Sequence, residues 1–195
     1  MWSLPPGALP IQPWPRAPPS AAADNVETMT VIETKRLRLR PWTTSDADVT
    51  AWVALHADER VNQFVGSYTT ELAIDRLSQI ERQWSVLGHG LFAFEDINTG
   101  ELIGRGGLQY WQQFAEVEAA WTLRAESWGK GYAAEAARAF LAWGWDVIDA
   151  DYITAMVHAD NTSSARLAER LGFTVRRQDT LYDKTVNVYS LERPV

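Results

Sequence analysis

Two glycines that flank a lysine, Gly129-Lys130-Gly131, stand between an apolar run and the start of an alanine-rich helical pattern. The run Val117 to Leu123 is apolar enough for a buried strand, and from Tyr132 onward the apolar residues recur with the period of a helix. Glycines let the backbone approach a ligand closely, and the first N–H groups of a helix point into such a loop with the positive end of the helix dipole behind them. The stretch therefore predicts an anion site, most simply for a pyrophosphate.

Two nucleotide-binding motifs compete for this loop. A P-loop requires a serine or threonine directly after its lysine, and Gly131 follows Lys130 instead, so that motif is excluded. The dinucleotide fingerprint fits Gly129-x-Gly131-x-x-Ala134 better, with acidic residues about 20 positions further on. However, five residues separate Leu123 from Gly129, and only 61 residues follow Ala134, too few for the rest of a doubly wound domain. The position of the loop therefore disfavours a Rossmann domain.

A second motif follows the next predicted strand, Tyr152 to Val157. Asn161 or Thr162 is placed to cap a short helix, and Gly172 stands where a helix-terminating glycine belongs. Taken together, W-G-K-G-Y-A-x-E-A over 128–136 and N-x-x-S-x-x-L-x-x-x-L-G-F over 161–173 resemble the GCN5-related N-acetyltransferases. The nearer likeness is to the branch that includes the ribosomal-protein N-terminal acetyltransferases. The resemblance covers about 34–194.

The resemblance implies that acetyl-CoA binds as the acetyl donor. In the family, two central strands splay apart, the pantetheine arm pairs with the first of them, and the glycine loop holds the pyrophosphate. Matched position by position, the implied cofactor-binding residues are Trp121, Thr122, Leu123, Gly129, Lys130, Gly131, Tyr132, Ala133, Ala134, Asn161 and Ser164. The backbone N–H of Leu123 is then the expected donor to the thioester oxygen. One departure is Glu126, an acid where the family has glutamine or arginine.

The resemblance also implies the groups that move protons. Glu118 matches an acidic position that opens this strand in related enzymes and is the candidate base, with Glu116 on the same strand face as the spare. Ser164 is the candidate acid for the departing thiolate, and His158 is an alternative proton relay. Structural roles remain open for each: Glu118 can pair with an arginine, and Ser164 can make a hydrogen bond at a helix start.

The expected reaction is transfer of an acetyl group to a primary amine by direct attack in a ternary complex. The acceptor is expected to be a protein N-terminal α-amine or a small amine. Lysine side chains, aminoglycosides and a non-catalytic acyl-CoA-binding module are the alternatives. In the family the first two helices and their connection wall the acceptor site, so 58–68 is where acceptor choice is expected to reside.

Composition narrows the class of protein. One domain is expected for 195 residues of which 46% are hydrophobic, and the ten tryptophans are expected mainly to fill its core. The chain has no cysteine and three scattered histidines, which argues against a metal site. A net charge of −7 disfavours nucleic acid and mildly suits a cationic substrate. Without an apolar membrane span or a signal peptide, we expect a cytoplasmic protein, either a monomer or a homodimer.

The elements that must position these motifs follow from periodicity and turn signals. Residues 1–30 are predicted to form an irregular extension, because seven of the nine prolines lie among the first 23 residues, and Met29 is a plausible true start. Residues 31–195 are predicted to form the acetyltransferase domain, an α/β (α+β) fold. Its mixed, mostly antiparallel sheet would have about seven strands flanked by about four helices. The last two strands are expected over 173–177 and 185–191, with 178–184 as their polar connection.

Overall fold

The computed structural model describes residues 30–181 and 184–194, so nearly all of the predicted N-terminal extension lies outside the described residues. The strands are β1 (Ile32–Glu33), β2 (Leu37–Pro41), β3 (Leu91–Asp96), β4 (Leu102–Trp111), β5 (Glu116–Leu123), β6 (Tyr152–His158), β7 (Thr174–Leu181) and β8 (Lys184–Glu192). The helices are α1 (Asp46–Ala57), α2 (Glu59–Val65), α3 (Thr70–Leu87), α4 (Tyr132–Val147) and α5 (Thr162–Arg170). A 3-10 turn, Ala125–Ser127, follows β5.

The predicted fold class is confirmed, with one more strand and one more helix in the described part of the chain than expected. Strand β1 has only two residues, too few for an alternating pattern to be recognised. Helix α2 has seven residues and begins at an N-cap, Asp58, whose side chain accepts a hydrogen bond from Arg60 N. The polar connection predicted over 178–184 is wrong for 178–181, which continue β7, and for Lys184, which begins β8. That strand lies at the edge of the sheet and is largely exposed, so it carries little apolar patterning.

The sheet has the order β1-β2-β3-β4-β5-β6-β8-β7 and is antiparallel except between β5 and β6. A parallel pair needs a crossover connection, and α4 supplies it. The parallel register joins a single pair of residues, Glu118 and Thr154. Beyond that pair, the carboxyl end of β5 faces a gap in the sheet. The gap opens toward the loop that carries the two glycines.

Helices cover both faces of the sheet. On one face α4 packs against a core that includes Phe94, Phe140 and Ile153, all fully buried. On the other face α1 and α3 bury Trp52 and Leu77. Because both faces are sealed, the strands are held rigidly up to the point where β5 and β6 separate. None of the described helices is long and apolar enough to cross a membrane.

Glycines in β4 allow two strands to lie unusually close. A Cβ on Gly104 would lie 2.5 Å from the carbonyl oxygen of Thr122, and a Cβ on Gly106 would collide with that of Ala120. A glycine inside a strand marks a bulge or a close approach by another group. The structure shows the close approach to β5, where the register is continuous from Gly104 to Trp111, and also a register shift against β3, where Phe94 pairs with Gly104 and Glu95 with Leu102.

Candidate active site

The glycine loop places the N-terminus of α4 next to the gap between β5 and β6. Gly129 and Gly131 have φ of 73° and 80°, a region that side chains rarely adopt. Gly131 is the N-cap of the 16-residue helix and gives it no side-chain hydrogen bond. The first-turn N–H groups therefore have no side-chain cap and can receive an anion from the loop. This arrangement fits the pyrophosphate that the sequence predicts here.

A cavity of about 450 Å³ runs from the end of β5 to this helix terminus. Its walls include most of the residues that the sequence assigned to cofactor binding: Trp121, Thr122, Leu123, Gly129, Gly131, Tyr132, Ala133, Ala134, Asn161 and Ser164. Lys130 is not part of the wall. Its side chain is exposed, and its carbonyl accepts a hydrogen bond of 2.9 Å from Arg36 Nη1. The fold thus gathers segments that are about 40 residues apart in the chain.

The backbone at the end of β5 presents hydrogen-bonding groups to the gap. Arg124 N donates to Ile103 O at 2.9 Å, so Arg124 bonds toward β4. In an antiparallel ladder, bonding to one neighbour alternates along the strand, so the N–H and carbonyl of Leu123 point the other way, toward β6. The carbonyl of Leu123 accepts from Trp128 Nε1 at 3.0 Å. Its N–H therefore points to the gap beside β5, and its role as an oxyanion donor stays a prediction.

Ser164 and Asn161 enter the cavity from the start of α5. The side chain of Asn161 accepts from Ser164 N at 3.1 Å and caps the helix, as the sequence predicted. The Ser164 hydroxyl oxygen accepts from Trp121 Nε1 at 3.3 Å. Because the oxygen is the acceptor in that bond, the hydroxyl proton remains available to another acceptor. This geometry is compatible with the role of acid, which stays a prediction.

Glu118 lies at the point where β5 and β6 diverge. It is 7% exposed, does not line the cavity, and accepts hydrogen bonds from Trp111 Nε1 and from Met156 N. Burial raises the pKa of its carboxyl group, while the two donors and the charges of Arg105 and Arg76 oppose that rise. No ion pair within 4.0 Å involves Glu118 among the described residues. The structural role considered for it, direct pairing with an arginine, is therefore not seen there.

The two alternative proton-transfer groups have other contacts. Glu116 forms two hydrogen bonds of 2.9 Å with the guanidinium of Arg177, and Tyr152 Oη donates to it at 3.2 Å. Both oxygens of this carboxylate are thus occupied by the charged fork of one guanidinium. His158 ends β6, and its Nδ1 accepts from Asp160 N at 3.2 Å. Neither residue lines the cavity.

An ion pair missed by sequence reasoning braces the glycine loop. Arg36, just before β2, donates from Nε to Glu135 Oε2 at 2.7 Å and lies over the ring of Tyr132, 4.3 Å from its centroid. Thr34 Oγ1 donates to the other oxygen of Glu135 at 2.6 Å. Together with the bond to the Lys130 carbonyl, these contacts tie the N-terminal segment to the first turn of α4. Nothing local in the sequence connects residues about 100 positions apart.

The acid that departs from the family pattern is paired with an arginine of α2, which it shares with a second acid. Glu126 accepts from Arg60 Nη2 at 2.6 Å, and the same nitrogen contacts Asp58 at 2.5 Å. This contact connects α2 to the turn after β5. Glu126 is therefore directed toward α2, which reduces its repulsion of an anion in the loop.

Comparisons with known proteins agree with this geometry. A family model described as "Acetyltransferase (GNAT) domain" matches residues 36–174, more than half of the chain. The N-acetyltransferase p20 of Bacillus licheniformis is 28% identical over 151 residues, which are 74% of this chain and 83% of that protein. The crystal structure of an acetyltransferase from Agrobacterium tumefaciens superposes with a TM-score of 0.74 and 29% identity, covering 87% of this chain and 98% of that one.

Ribosomal-protein acetyltransferases are among the structural neighbours. The ribosomal-protein-S5-alanine acetyltransferase of Vibrio fischeri has a TM-score of 0.70 over 84% of this chain and 97% of that chain, with 19% identity, a likeness of fold alone. No group of three or more acidic or histidine side chains in the described residues is arranged to hold a metal ion. Because the acetyltransferase family model covers more than half of the chain, the chain belongs to the GCN5-related N-acetyltransferase (GNAT) family and is an N-acetyltransferase.

Proposed function

We propose that the protein transfers the acetyl group of acetyl-CoA to a primary amine by direct attack in a ternary complex. The observation that carries this proposal is the cavity that joins the open edge of β5 to the uncapped N-terminus of α4. Such a cavity fits a long molecule that has a pyrophosphate at one end and an acyl group at the other. Acetyl-CoA has this form, and the GNAT family typically uses it.

The residues of the cavity would hold acetyl-CoA in three places. The N–H groups at the start of α4 and the backbone of Gly129 to Gly131 would bind the pyrophosphate. The edge of β5 at Trp121 and Leu123 would pair with the pantetheine arm. Ser164 and Asn161 would lie on the opposite wall. When bound, acetyl-CoA supplies an activated acyl carbon. The protein then contributes mainly by positioning the two reactants.

Proton transfers are assigned to Glu118 and Ser164. The N–H of Leu123 donates to the acyl oxygen as negative charge develops on it. Glu118 takes the proton that the amine must lose, directly or through water, while the new C–N bond forms and the C–S bond breaks. Ser164 O–H donates a proton to the departing sulfur and recovers one from solvent, while Glu118 releases the amine proton to solvent, so that the amide and the free thiol are the products. The raised pKa of Glu118 supports this role, because it brings the group closer to neutral pH while the carboxylate remains its basic form.

The acceptor is proposed to be an α-amine or a small amine. At pH 7, deprotonation costs about 4.6 kcal/mol for a lysine side chain and about 1 to 1.4 kcal/mol for an α-amine. A site with one buried carboxylate and no second base in evidence among its described residues fits the amine that is easier to deprotonate. The fold shared with a protein called a ribosomal-protein-S5-alanine acetyltransferase points the same way.

A thiol-release assay with acetyl-CoA and a panel of acceptors tests this proposal. Peptides with free and with acetyl-blocked N-termini are compared with spermidine and an aminoglycoside. We expect turnover of free N-termini and none after blocking. Turnover that survives blocking but is lost when lysine is removed would refute the α-amine assignment. Binding of acetyl-CoA without turnover of any amine would instead indicate a non-catalytic acyl-CoA-binding module.

A further inference from the structure

A positively charged patch lies under α1 and α3, although the chain as a whole carries a net charge of −7. Arg105 on β4 and Arg76 on α3 are its two cations. Neither lies within 4.0 Å of a carboxylate among the described residues. Glu118 is the acidic residue whose charge acts on both of them. The patch is therefore net positive even when Glu118 is ionised.

Arg105 is buried, with 8% of its surface exposed, and its known contacts use only part of the guanidinium. Nε donates to His56 Nε2 at 3.1 Å, and the guanidinium lies over the ring of Trp52. Burial and the charge of Arg105 lower the pKa of His56 to about 3, so His56 is neutral and donates from Nδ1 to Trp52 O. The two terminal nitrogens of Arg105 have no hydrogen-bond partner in the described part of the chain.

The terminal nitrogens of Arg105 reach solvent, because the fully buried side-chain nitrogens without a partner among the described residues are those of Trp42 and Trp52. Burial lowers the pKa of the Arg105 guanidinium to about 10, so at neutral pH the group remains charged. A largely buried cation gains from an anionic partner, and an incoming carboxylate can reach these solvent-facing nitrogens. A bond to a neutral histidine does not neutralise the charge. The two terminal NH₂ groups can donate one hydrogen bond to each oxygen of an incoming carboxylate.

The two arginines of this patch lie close to the residues proposed for the reaction. Arg105 pairs across the ladder with Thr122, and paired side chains stand side by side on one face of the sheet. Thr122 lines the cavity between β5 and β6. Gln109, which accepts a hydrogen bond from Arg76 Nη2, pairs in the same way with Glu118. Arg105 thus lies beside a residue of the cavity wall, and Arg76 contacts the strand partner of the proposed base.

We propose that the acceptor is a primary amine that also carries a carboxylate close to the amine, and that Arg105 with Arg76 binds this carboxylate. The inference rests on the proposed amine acetylation and adds a substrate class to it. An acidic residue near a protein N-terminus and a small amino acid both offer this chemistry. The cationic acceptors favoured by the net charge of the whole chain, spermidine and aminoglycosides, are expected to be poor substrates because they place positive charge beside the arginines.

Steady-state kinetics on charge-matched acceptors test the proposal. Peptides with a free N-terminal alanine carry glutamate, glutamine or lysine at the second position. Small amino acids are compared with their amides as the second source of the carboxylate. In the wild-type protein we expect kcat/KM to be about tenfold to hundredfold higher for the acidic member of a pair than for its amide. Arg105→Gln and Arg76→Gln should each bring that ratio toward one, mainly through KM.

Arg82→Gln is the matched control, because Arg82 is an exposed arginine on the same helix as Arg76. It should leave the ratio unchanged. If Arg105→Gln does not fold, Arg76→Gln alone decides the matter, since Arg76 is only partly buried. Equal wild-type rates for glutamate and glutamine peptides would overturn the proposal while amine acetylation stands. An equal loss on acidic and neutral acceptors in both variants would also overturn it, because the arginines would then act only on the fold. No turnover of any amine would refute the proposed function itself.

Discussion

Glu118 is the residue of β5 that pairs with β6, which makes it both buried and close to the open part of the sheet. Its two hydrogen-bond donors, Trp111 Nε1 and Met156 N, come from the neighbouring strands β4 and β6. They hold the carboxylate in one orientation, whereas burial disfavours its charge. A carboxylate held in this way is a stronger base than one exposed to solvent. At the scale of a single residue, this balance sets the expected pH dependence.

Replacing Glu118 by glutamine should lower kcat by about a hundredfold or more, the usual contribution of a positioned general base. At low pH two groups must each lose a proton before the wild type can react: the Glu118 carboxyl group, whose pKa is raised, and the amine of the acceptor. Both losses should limit kcat/KM. A logarithmic plot against pH should therefore have a slope of two at low pH and a slope of one above the pKa of Glu118. In the Glu118→Gln variant the slope should be one throughout.

Stability provides the folding control for this variant. Because the pKa of Glu118 is raised in the folded protein, the folded state binds more protons, and this group lowers the free energy of unfolding as pH rises above about 4.5. Glu118→Gln removes this effect, but its amide has only one acceptor oxygen for the two donors, Trp111 Nε1 and Met156 N, so the variant should lose about 1 to 3 kcal/mol of stability at pH 7 and still unfold cooperatively. Glu116→Gln, which disrupts the pair with Arg177, should have the smaller effect on kcat. The reverse order of the two variants would assign the base to Glu116.

At the scale of secondary structure, the glycine loop and α4 act as one unit. Gly131 requires a left-handed backbone, and Arg36 and Glu135 brace the helix start from outside the cavity. A Cβ on Gly131 would have only Arg36 Nη2 nearby, at 3.5 Å. The loop has room for a substituent in the protein alone, so a side chain placed there competes mainly with whatever binds the helix terminus.

Gly131→Glu should abolish measurable acetyl-CoA binding in isothermal titration calorimetry, because it adds bulk and negative charge at the proposed pyrophosphate site. Gly131→Gln carries the same backbone strain and nearly the same volume without the charge, so it should bind weakly but more tightly than the glutamate variant. Gly100→Glu places the same change at another glycine with positive φ, in the turn between β3 and β4. It should bind normally. Unchanged affinity in a folded Gly131→Glu variant would contradict this assignment of the pyrophosphate site.

At the scale of the whole molecule, the sheet consists of two parts that meet at one pair of residues. Strands β1 to β5 form one part, and β6, β8 and β7 form the other. The cavity lies along their junction, with walls from α2, β5, the glycine loop and α5. A ligand there would contact both parts, and ligand binding to the folded state alone raises stability by mass action.

Thermal unfolding should therefore shift upward with coenzyme A. At a free concentration about 100 times Kd, the gain is about 2.7 kcal/mol. For a domain of this size the melting temperature should rise by about 5 to 11 °C. Adenosine, which lacks the pyrophosphate and the arm, is the negative control. The absence of any shift with coenzyme A would favour a structural protein without this ligand.

The sequence by itself determined the loop, the helix cap and the family. Glycines at 129 and 131, the Asn161 cap and the apolar periods are local signals, because turn chemistry and helix propensity depend on neighbours within a few residues. The fold class followed from the same signals. The short elements β1 and α2 were not predicted, because they contain too few residues to show a period. The exposed continuation of β7 was predicted as a connection, because it has no buried face and therefore no alternation of apolar and polar residues.

The tertiary structure alone decided which charges meet. Arg36 with Glu135, Arg60 with Glu126 and Glu116 with Arg177 are pairs separated by about 60 to 100 positions, and no local rule connects them. The same holds for Arg105. Its position in β4 predicts which face of the sheet its side chain lies on, but it does not predict that no carboxylate lies nearby. Charge pairing depends on distance and burial, which are set only when the strands take their register and the helices cover the sheet.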